Sequence, residues 1–330
     1  MKPFAYQQPT DAGGAVAAVA ASGNASFLAG GTNLVDLMKL GVATPDLLVD
    51  VTRLSELGAV DPTEGGGLRI GAGVRNSDLA ADRRLGTGFP LVARALLSGA
   101  SGQIRNMATV GGNLLQRTRC PYFQDVTKPC NKRLPGSSCP ARGGDHRNHA
   151  ILGASEACIA THPSDLAVAL VAADAVVHVA EPAGPRAIPL ADLYRLPGDT
   201  PDRETDLGRG ALITAIELPP LAFARHSTYR KVRDRASFAF AVASVAAAID
   251  VHRGAVRDVR LALGAVAPRP WRALVAEEAL RGRPATPEAF RAAIAAELDA
   301  AEPLPGNAFK LPLVSNLVTR TLSSLAGVDR

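Results

Sequence analysis

The order of apolar and polar residues along this chain changes period several times, and the changes mark out its elements. Ala and Val dominate positions 12–22. Thr10 and Asp11 precede them as caps and Gly23-Asn24 follows, which predicts an amphipathic first helix. A short apolar run at 26–29 then breaks into a double glycine. A helical pattern covers 34–40 and a second apolar run covers 47–51. Strand–turn–helix–strand after a helix predicts a compact α/β unit of about 55 residues. Beyond it, 68–71 has the pattern of a strand, 77–82 of a helix, and Pro90 opens another helix to about residue 98, where proline suits the first turn.

From 117 to 150 the periodicity disappears. Pro, Gly, Arg and Cys replace the aliphatic residues, and so long an irregular stretch inside a domain is functional or disordered. A helix over 164–172, a strand over 175–180 and a strand over 211–218 follow, and Pro219-Pro220 marks a domain boundary. The last third predicts three antiparallel strands and then three helices. Two of the strands, 240–251 and 256–266, are joined at Arg253-Gly254, and the helices lie at 271–280, 287–298 and 313–325. The fold class expected is α+β.

Composition narrows the picture only slightly. The chain has 330 residues, 47% of them hydrophobic and 20% charged, enough for two or three small cores. A net charge of +5 without basic residues and aromatics interleaved on one element argues against a nucleic-acid binder. No run approaches the roughly 20 apolar residues of a membrane span. Asp11 interrupts the N-terminal stretch where a signal peptide needs its apolar core, so a soluble chain without its own export signal is expected.

Two loops carry candidate chemistry. Phe27-Leu28-Ala29-Gly30-Gly31-Thr32-Asn33-Leu34 is a strand that breaks into a double glycine and enters a helix. Successive amides there can form an anion nest, and a helix start adds free N–H groups, an arrangement that suits a pyrophosphate. An ordinary strand–turn–helix connection has the same outline. The repetition of the pattern in Thr109-Val110-Gly111-Gly112-Asn113 favours the functional reading, because a dinucleotide needs several loops converging on it. Gly71-Ala72-Gly73 begins like a nicotinamide-dinucleotide fingerprint, but Asn76 stands where its third glycine belongs.

All four cysteines, Cys120, Cys130, Cys139 and Cys158, lie in or beside the irregular stretch, separated by 9, 8 and 18 residues. Disulfides suit small exported domains. Structural zinc prefers close Cys pairs, and none occurs here. A [4Fe–4S] cluster takes four thiolates and tolerates wide spacing if the loop wraps it. Arg117, Arg119, Lys128, Lys132, Arg133, Arg142 and Arg147, against Asp125 and Asp145, favour an anionic cluster, and Pro121, Pro129 and Pro140 stiffen the backbone beside three of the cysteines. Zinc and free or paired thiols remain alternatives on spacing alone. The six histidines show no metal-ligand spacing and none is given a catalytic role, and Trp271 is expected in the core.

Taken together, these residues resemble the FAD-binding middle subunit of the molybdenum hydroxylases, the xanthine dehydrogenase and aldehyde oxidoreductase family, over essentially the whole chain. The two glycine loops match its flavin-pyrophosphate motifs. Ser164-Asp165 looks like its Ser-Asp motif, and Lys231, in Tyr229-Arg230-Lys231-Val232-Arg233, looks like its flavin-side lysine, with Arg230 and Arg233 as rivals. The resemblance is nearest to flavoprotein subunits of bacterial periplasmic-type aldehyde oxidoreductases, in which a matching insert carries an extra [4Fe–4S] cluster on four cysteines. It implies residues 1–56 and 57–219 as two α/β subdomains of a PCMH-like FAD-binding domain, with the iron–sulfur insert at 117–158. Residues 220–330 would form a C-terminal domain, like that of CO dehydrogenase flavoproteins, with a three-stranded antiparallel sheet packed on helices.

The resemblance also implies a function. FAD would lie against Phe27, Leu28, Ala29, Gly30, Gly31, Thr32, Asn33, Leu34, Thr109, Gly111, Gly112, Asn113, Ser164, Asp165 and Lys231. The chain would be one electron-transfer subunit of a heterotrimer that converts an aldehyde and water to a carboxylic acid. A large partner would hold the molybdenum cofactor and a small partner two [2Fe–2S] clusters. No catalytic residue is expected in this chain. Export to the periplasm with a signal-bearing partner is expected, with a cytoplasmic location as the alternative. The rival functions are a stand-alone flavin oxidase and a non-enzymatic zinc or nucleic-acid module.

Overall fold

A computed structural model describes residues 1–328 and contains three sheets. The first is parallel, from β1 (Ala5–Gln7), β2 (Ala25–Leu28) and β3 (Leu47–Asp50), in the order β1-β3-β2. The helix Ala12–Ala21 connects β1 to β2. Asp11 caps it, its side chain accepting from the Gly14 amide at 2.7 Å. Ala15, Val16 and Val19 bury its apolar face against Val49 and Val51, and Leu212 of the next sheet completes that core.

The second sheet is antiparallel and five-stranded, in the order β4-β5-β8-β6-β7. Its strands are β4 (Val60–Pro62), β5 (Leu68–Gly71), β6 (Val176–Glu181), β7 (Gly184–Pro189) and β8 (Leu212–Leu218). The irregular segment therefore leaves after the first two strands of this sheet and returns before the next. Helices Pro90–Ser98 and Asp165–Ala172 cover one face, with Val92, Leu96, Leu166 and Leu170 against Ile70, Val177 and Ile216.

The third sheet has four antiparallel strands, β12-β11-β10-β9, from β9 (Ser227–Val232), β10 (Ala243–His252), β11 (Ala255–Gly264) and β12 (Trp271–Arg272). Alternation along β10 and β11 divides their side chains. Val245, Ala247, Ile249, Leu261 and Leu263 meet Phe290, Ile294, Val314 and Leu322 of the C-terminal helices. Ala246 and Ala262 point to the opposite core, which contains the Asp165–Ala172 helix. Small residues on that face let the helix approach closely.

The C-terminal sheet gains a strand over the three expected. Residues 271–272 pair with Ala262 and Leu263 before the helix Leu274–Leu280 begins, so Trp271 is a half-buried edge residue whose Nε1 donates to Glu297 at 2.8 Å. The last helix starts at Lys310, three residues earlier than its apolar period indicates, because the Lys310 side chain is drawn into the protein. β1, β4 and β7 are short or proline-flanked strands that periodicity did not reveal.

Glu277 is 1% exposed, pairs with Arg272 and accepts the Leu261 amide at 2.7 Å. Removing one partner of a buried pair costs about 3–5 kcal/mol. Glu277→Ala is expected to lower the urea midpoint of unfolding accordingly; an unchanged midpoint would show that the pair is solvated.

Candidate functional site

The two glycine loops touch. β2 ends at Leu28, Gly31 turns the chain with φ of +70°, and the Gly31 carbonyl accepts the Val35 amide at 3.0 Å to start the helix Leu34–Lys39. Gly30 packs face-on against the Met107 carbonyl, where a β-carbon would overlap the oxygen. The second loop runs on from there. Thr109 caps the helical turn Val110–Leu114, its Oγ1 accepting from the Gly112 amide at 3.2 Å. A β-carbon at Gly111 would lie 2.8 Å from that of Ala72, so the segment after β5 supports the loop from behind. Gly73, in the near-fingerprint, abuts Leu57 in the same way and serves packing.

The loops leave polar groups without protein partners. Asn33 Oδ1 accepts the Arg117 amide at 2.8 Å, while Asn33 Nδ2 is buried and unpaired, and Asn76 Oδ1 beside the second loop is also unpaired. Unpaired buried polar atoms are costly, so their occurrence at two loops that meet calls for a ligand or water. Thr32 and Gly112 are exposed, and Phe27, Leu28, Ala29 and Leu34 are half-buried although mostly apolar.

The other sequence candidates stand behind the second loop. Asn113 Oδ1 accepts Ser164 Oγ at 2.7 Å, and Ser164 caps the Asp165–Ala172 helix by accepting the Ala167 amide. Asp165 accepts the Tyr229 hydroxyl on one carboxylate oxygen and Lys231 Nζ, at 2.7 Å, on the other. Lys231 also donates to the Ser98 carbonyl, which Arg233 reaches too at 3.3 Å. Burial, and then the Asp165 charge, push the Tyr229 hydroxyl well above its usual range, so it remains a donor. Asp165 and Lys231 thus neutralise each other inside the protein.

All four cysteines line one small enclosed cavity, of about 10 Å³, together with Phe123, Lys132 and His149. Cys130 and Cys158 are buried, Cys120 and Cys139 half-buried, and none forms a disulfide. Cys120 precedes the Pro121–Gln124 helical turn, whose Tyr122 and Phe123 amides face its sulfur. Burial pushes the Cys120 thiol up to about 12, against those amides and with Cys130 and Cys158 adding to the shift. Burial raises Cys158 as well, with Lys132 opposing. Burial thus favours the protonated thiol at Cys120 and Cys158; a bound metal would reverse that.

Among the described residues, no three His, Cys, Asp or Glu side chains close on a point as around a single ion. Tetrahedral zinc would draw its sulfurs to about 3.8 Å from one another, given a Zn–S bond of about 2.3 Å. A four-iron cluster keeps its thiolates farther apart, around its outside.

Most basic residues of this segment act as staples. Arg133 donates to the carbonyls of Tyr122, Phe123 and Lys128, Arg142 pairs with Glu156, and Arg147 with Asp234. Lys132 alone among the predicted basic residues lines the cavity, and Glu204 accepts from both Lys132, at 3.0 Å, and Arg117. Burial would raise the Glu204 carboxyl, but these two cations outweigh it and hold it low. Leu37 of the helix after the first glycine loop packs against Phe123 and Cys130. Glu204 and His149 escaped sequence reasoning, because their partners lie 87 and 29 residues away without a local pattern.

Two larger cavities are open. One of about 290 Å³ adjoins the second loop and the cysteine segment, lined by Leu114, Arg117, His162, Tyr194 and Glu204. Burial takes His162 down to about 4, so its ring is neutral at pH 7. A cavity of about 570 Å³ on the five-stranded sheet lies away from both loops, and Arg186 of its lining pairs with Glu181 and Asp206.

Residues 2–221 match the family described as the FAD binding domain in molybdopterin dehydrogenase, and residues 227–325 match the CO dehydrogenase flavoprotein C-terminal domain. The chain is 55% identical over 282 residues to the aldehyde oxidoreductase FAD-binding subunit PaoB of Escherichia coli (strain K12), covering 85% of this chain and 86% of that one. It is 30% identical over 260 residues to the glyceraldehyde dehydrogenase medium chain of Sulfolobus acidocaldarius, covering 79% and 74%. The fold superposes with a TM-score of 0.77 on the carbon monoxide dehydrogenase from Hydrogenophaga pseudoflava that lacks the Mo-pyranopterin moiety of its cofactor, at 26% identity and over all of both chains. Quinoline 2-oxidoreductase from Pseudomonas putida 86 shares the fold at a TM-score of 0.76, with 23% identity over 99% of each chain.

Gly30→Ala forces the two loops apart. It is expected to weaken FAD binding about tenfold, or ~1.4 kcal/mol, with the circular dichroism spectrum retained. Flavin retention on gel filtration measures this, and parent-like retention would exclude the loop contact as part of the site.

Proposed function

The chain belongs to the FAD-binding subunits of the molybdenum hydroxylases, and we propose that it is the electron-transfer subunit of an aldehyde oxidoreductase. It is a subunit of an oxidoreductase complex, as its relatives are. The observation that carries the finer reading is one chain with both features, glycine loops in contact and four cysteines around one cavity, at 55% identity to an aldehyde oxidoreductase subunit. Residues 1–56 and 57–219 would clasp the dinucleotide, and 220–330 would back it.

FAD fits the loops. Ala29 to Asn33 and Thr109 to Asn113 would hold its pyrophosphate, with the unpaired Asn33 Nδ2 as one donor. Phe27, Leu28 and Leu34 would flank it, and Ser164, Asp165 and Lys231 would fix the second loop through Asn113. When bound, the flavin accepts and releases electrons singly or in pairs. Cys120, Cys130, Cys139 and Cys158 would ligate a [4Fe–4S] cluster, for which their shared cavity is the support. In the reaction proposed for the complex, an aldehyde and water give a carboxylic acid, two protons and two electrons. The molybdenum cofactor of a large partner would take the electrons, and [2Fe–2S] clusters of a small partner would deliver them to this chain. Behind the loops Asp165 and Lys231 pair with each other, and the aldehyde would react on the large partner.

The purified chain is expected to be coloured, with flavin, iron and sulfide in the ratio 1:4:4 expected of FAD and one cubane. Cys120→Ser is expected to lose the iron and keep the flavin, and aldehyde turnover is expected only with the large partner present. Zinc without iron would overturn the cluster assignment. Bleaching of the flavin by aldehyde in the isolated chain would make it a stand-alone oxidase.

A further inference from the structure

His149 is 4% exposed, and its Nε2 lies 3.2 Å from the Cys120 sulfur. Its Nδ1 is buried without a partner. A neutral imidazole carries its one N–H on either ring nitrogen. A proton on Nδ1 would strand a buried donor and turn the Nε2 lone pair toward sulfur. A proton on Nε2 makes an N–H···S contact and leaves only an acceptor unpaired, which is the lesser cost.

The backbone that carries the ring is held from the C-terminal domain. The His149 carbonyl accepts Lys310 Nζ at 2.9 Å and Asn307 Nδ2 at 3.4 Å, and Asn307 also reaches the Ala150 carbonyl. Lys310 is fully buried and donates to Ala265 O at 2.7 Å, so its charge rests on backbone carbonyls. The His149 amide closes a turn on the His146 carbonyl at 3.0 Å. The backbone on both sides of His149 is therefore fixed, and its burial limits where the ring can turn.

We infer that His149 donates a hydrogen bond from Nε2 to the Cys120 thiolate and raises the reduction potential of the cluster, with Lys310 and Asn307 as its positioning residues. This rests on the four-cysteine ligation proposed above. A donor at a ligand sulfur withdraws electron density and stabilises the more negative, reduced cluster more than the oxidised one.

The test uses the assembled complex and EPR-monitored redox titration. In the parent labelled with ¹⁵N-histidine, a weak nitrogen coupling on the reduced-cluster signal is expected. In His149→Leu, or the shorter and polar His149→Asn, the coupling is lost while iron and flavin stay. At a fixed potential the ratio of reduced to oxidised cluster then falls about tenfold, a 59 mV shift for a one-electron couple. His149→Gln, whose amide can reach the sulfur, recovers most of it. A parent-like midpoint in the donor-less variants, or no histidine coupling in the parent, overturns the inference. Strong coupling, or loss of iron from both variants, does so as well, because His149 would then bind or hold the cluster rather than tune it. Absence of iron from the parent is a different result and removes the cluster reading itself.

Discussion

Backbone meets backbone where Gly30 lies on the Met107 carbonyl, and the rest of the site is arranged around that contact. A side chain at position 30 would separate the parallel sheet from the segment that follows the Pro90–Ser98 helix. With glycine there, the two glycine loops stay in contact. From this point the structure extends in two directions. Asn33 binds the Arg117 amide and leads into the cysteine segment, while Asn113 binds Ser164 and leads to the helix that supports the C-terminal sheet.

Charge is kept inside the protein in closed sets rather than left free. Asp165 is saturated by Tyr229 and Lys231, Glu204 by Arg117 and Lys132, and Glu277 by Arg272 and a backbone amide. Buried pairs of this kind contribute little net stability but are costly to break, so they fix which segments lie together. Asp165–Lys231 joins the flavin-binding region to β9. Glu204 joins the cysteine segment to the stretch between β7 and β8. The cysteine cavity differs: burial opposes ionisation of its Cys120 and Cys158 thiols, and among the described residues Lys132 is the one lysine or arginine in its lining.

The C-terminal domain takes part in both sites from behind. Its Ala-faced strands allow the Asp165–Ala172 helix to pack closely, and its last helix begins with a lysine buried for the sake of two carbonyls. Burial takes that ammonium down to about 7, and its hydrogen bonds to the His149 and Ala265 carbonyls partly compensate. The lysine explains why the helix starts at 310, where neither its charge nor the apolar period suggests a beginning.

Element order, the glycine loops and the gathering of four cysteines were legible in the chain because each is a local property. Glycine pairs, caps such as Asp11, the apolar run over 240–251 and the loss of periodicity after 117 depend on near neighbours, and so did the assignment of helices and most strands. Family resemblance added Ser164-Asp165 and Lys231, which no local rule distinguishes from a helix start and a surface lysine. Closure of the chain decided the rest. The edge strand at Trp271, the Glu204 link 87 residues from Arg117, the mutual saturation of Asp165 and Lys231, and the His149–Cys120 contact arise only when distant segments share a low-dielectric interior. Sequence alone thus determined which residue types were present and where the glycine and cysteine motifs lie along the chain. Tertiary structure decided which of them are spent on each other and which still face outward with an unmet bond, because hydrogen bonds and charges are satisfied by proximity in space and not along the chain.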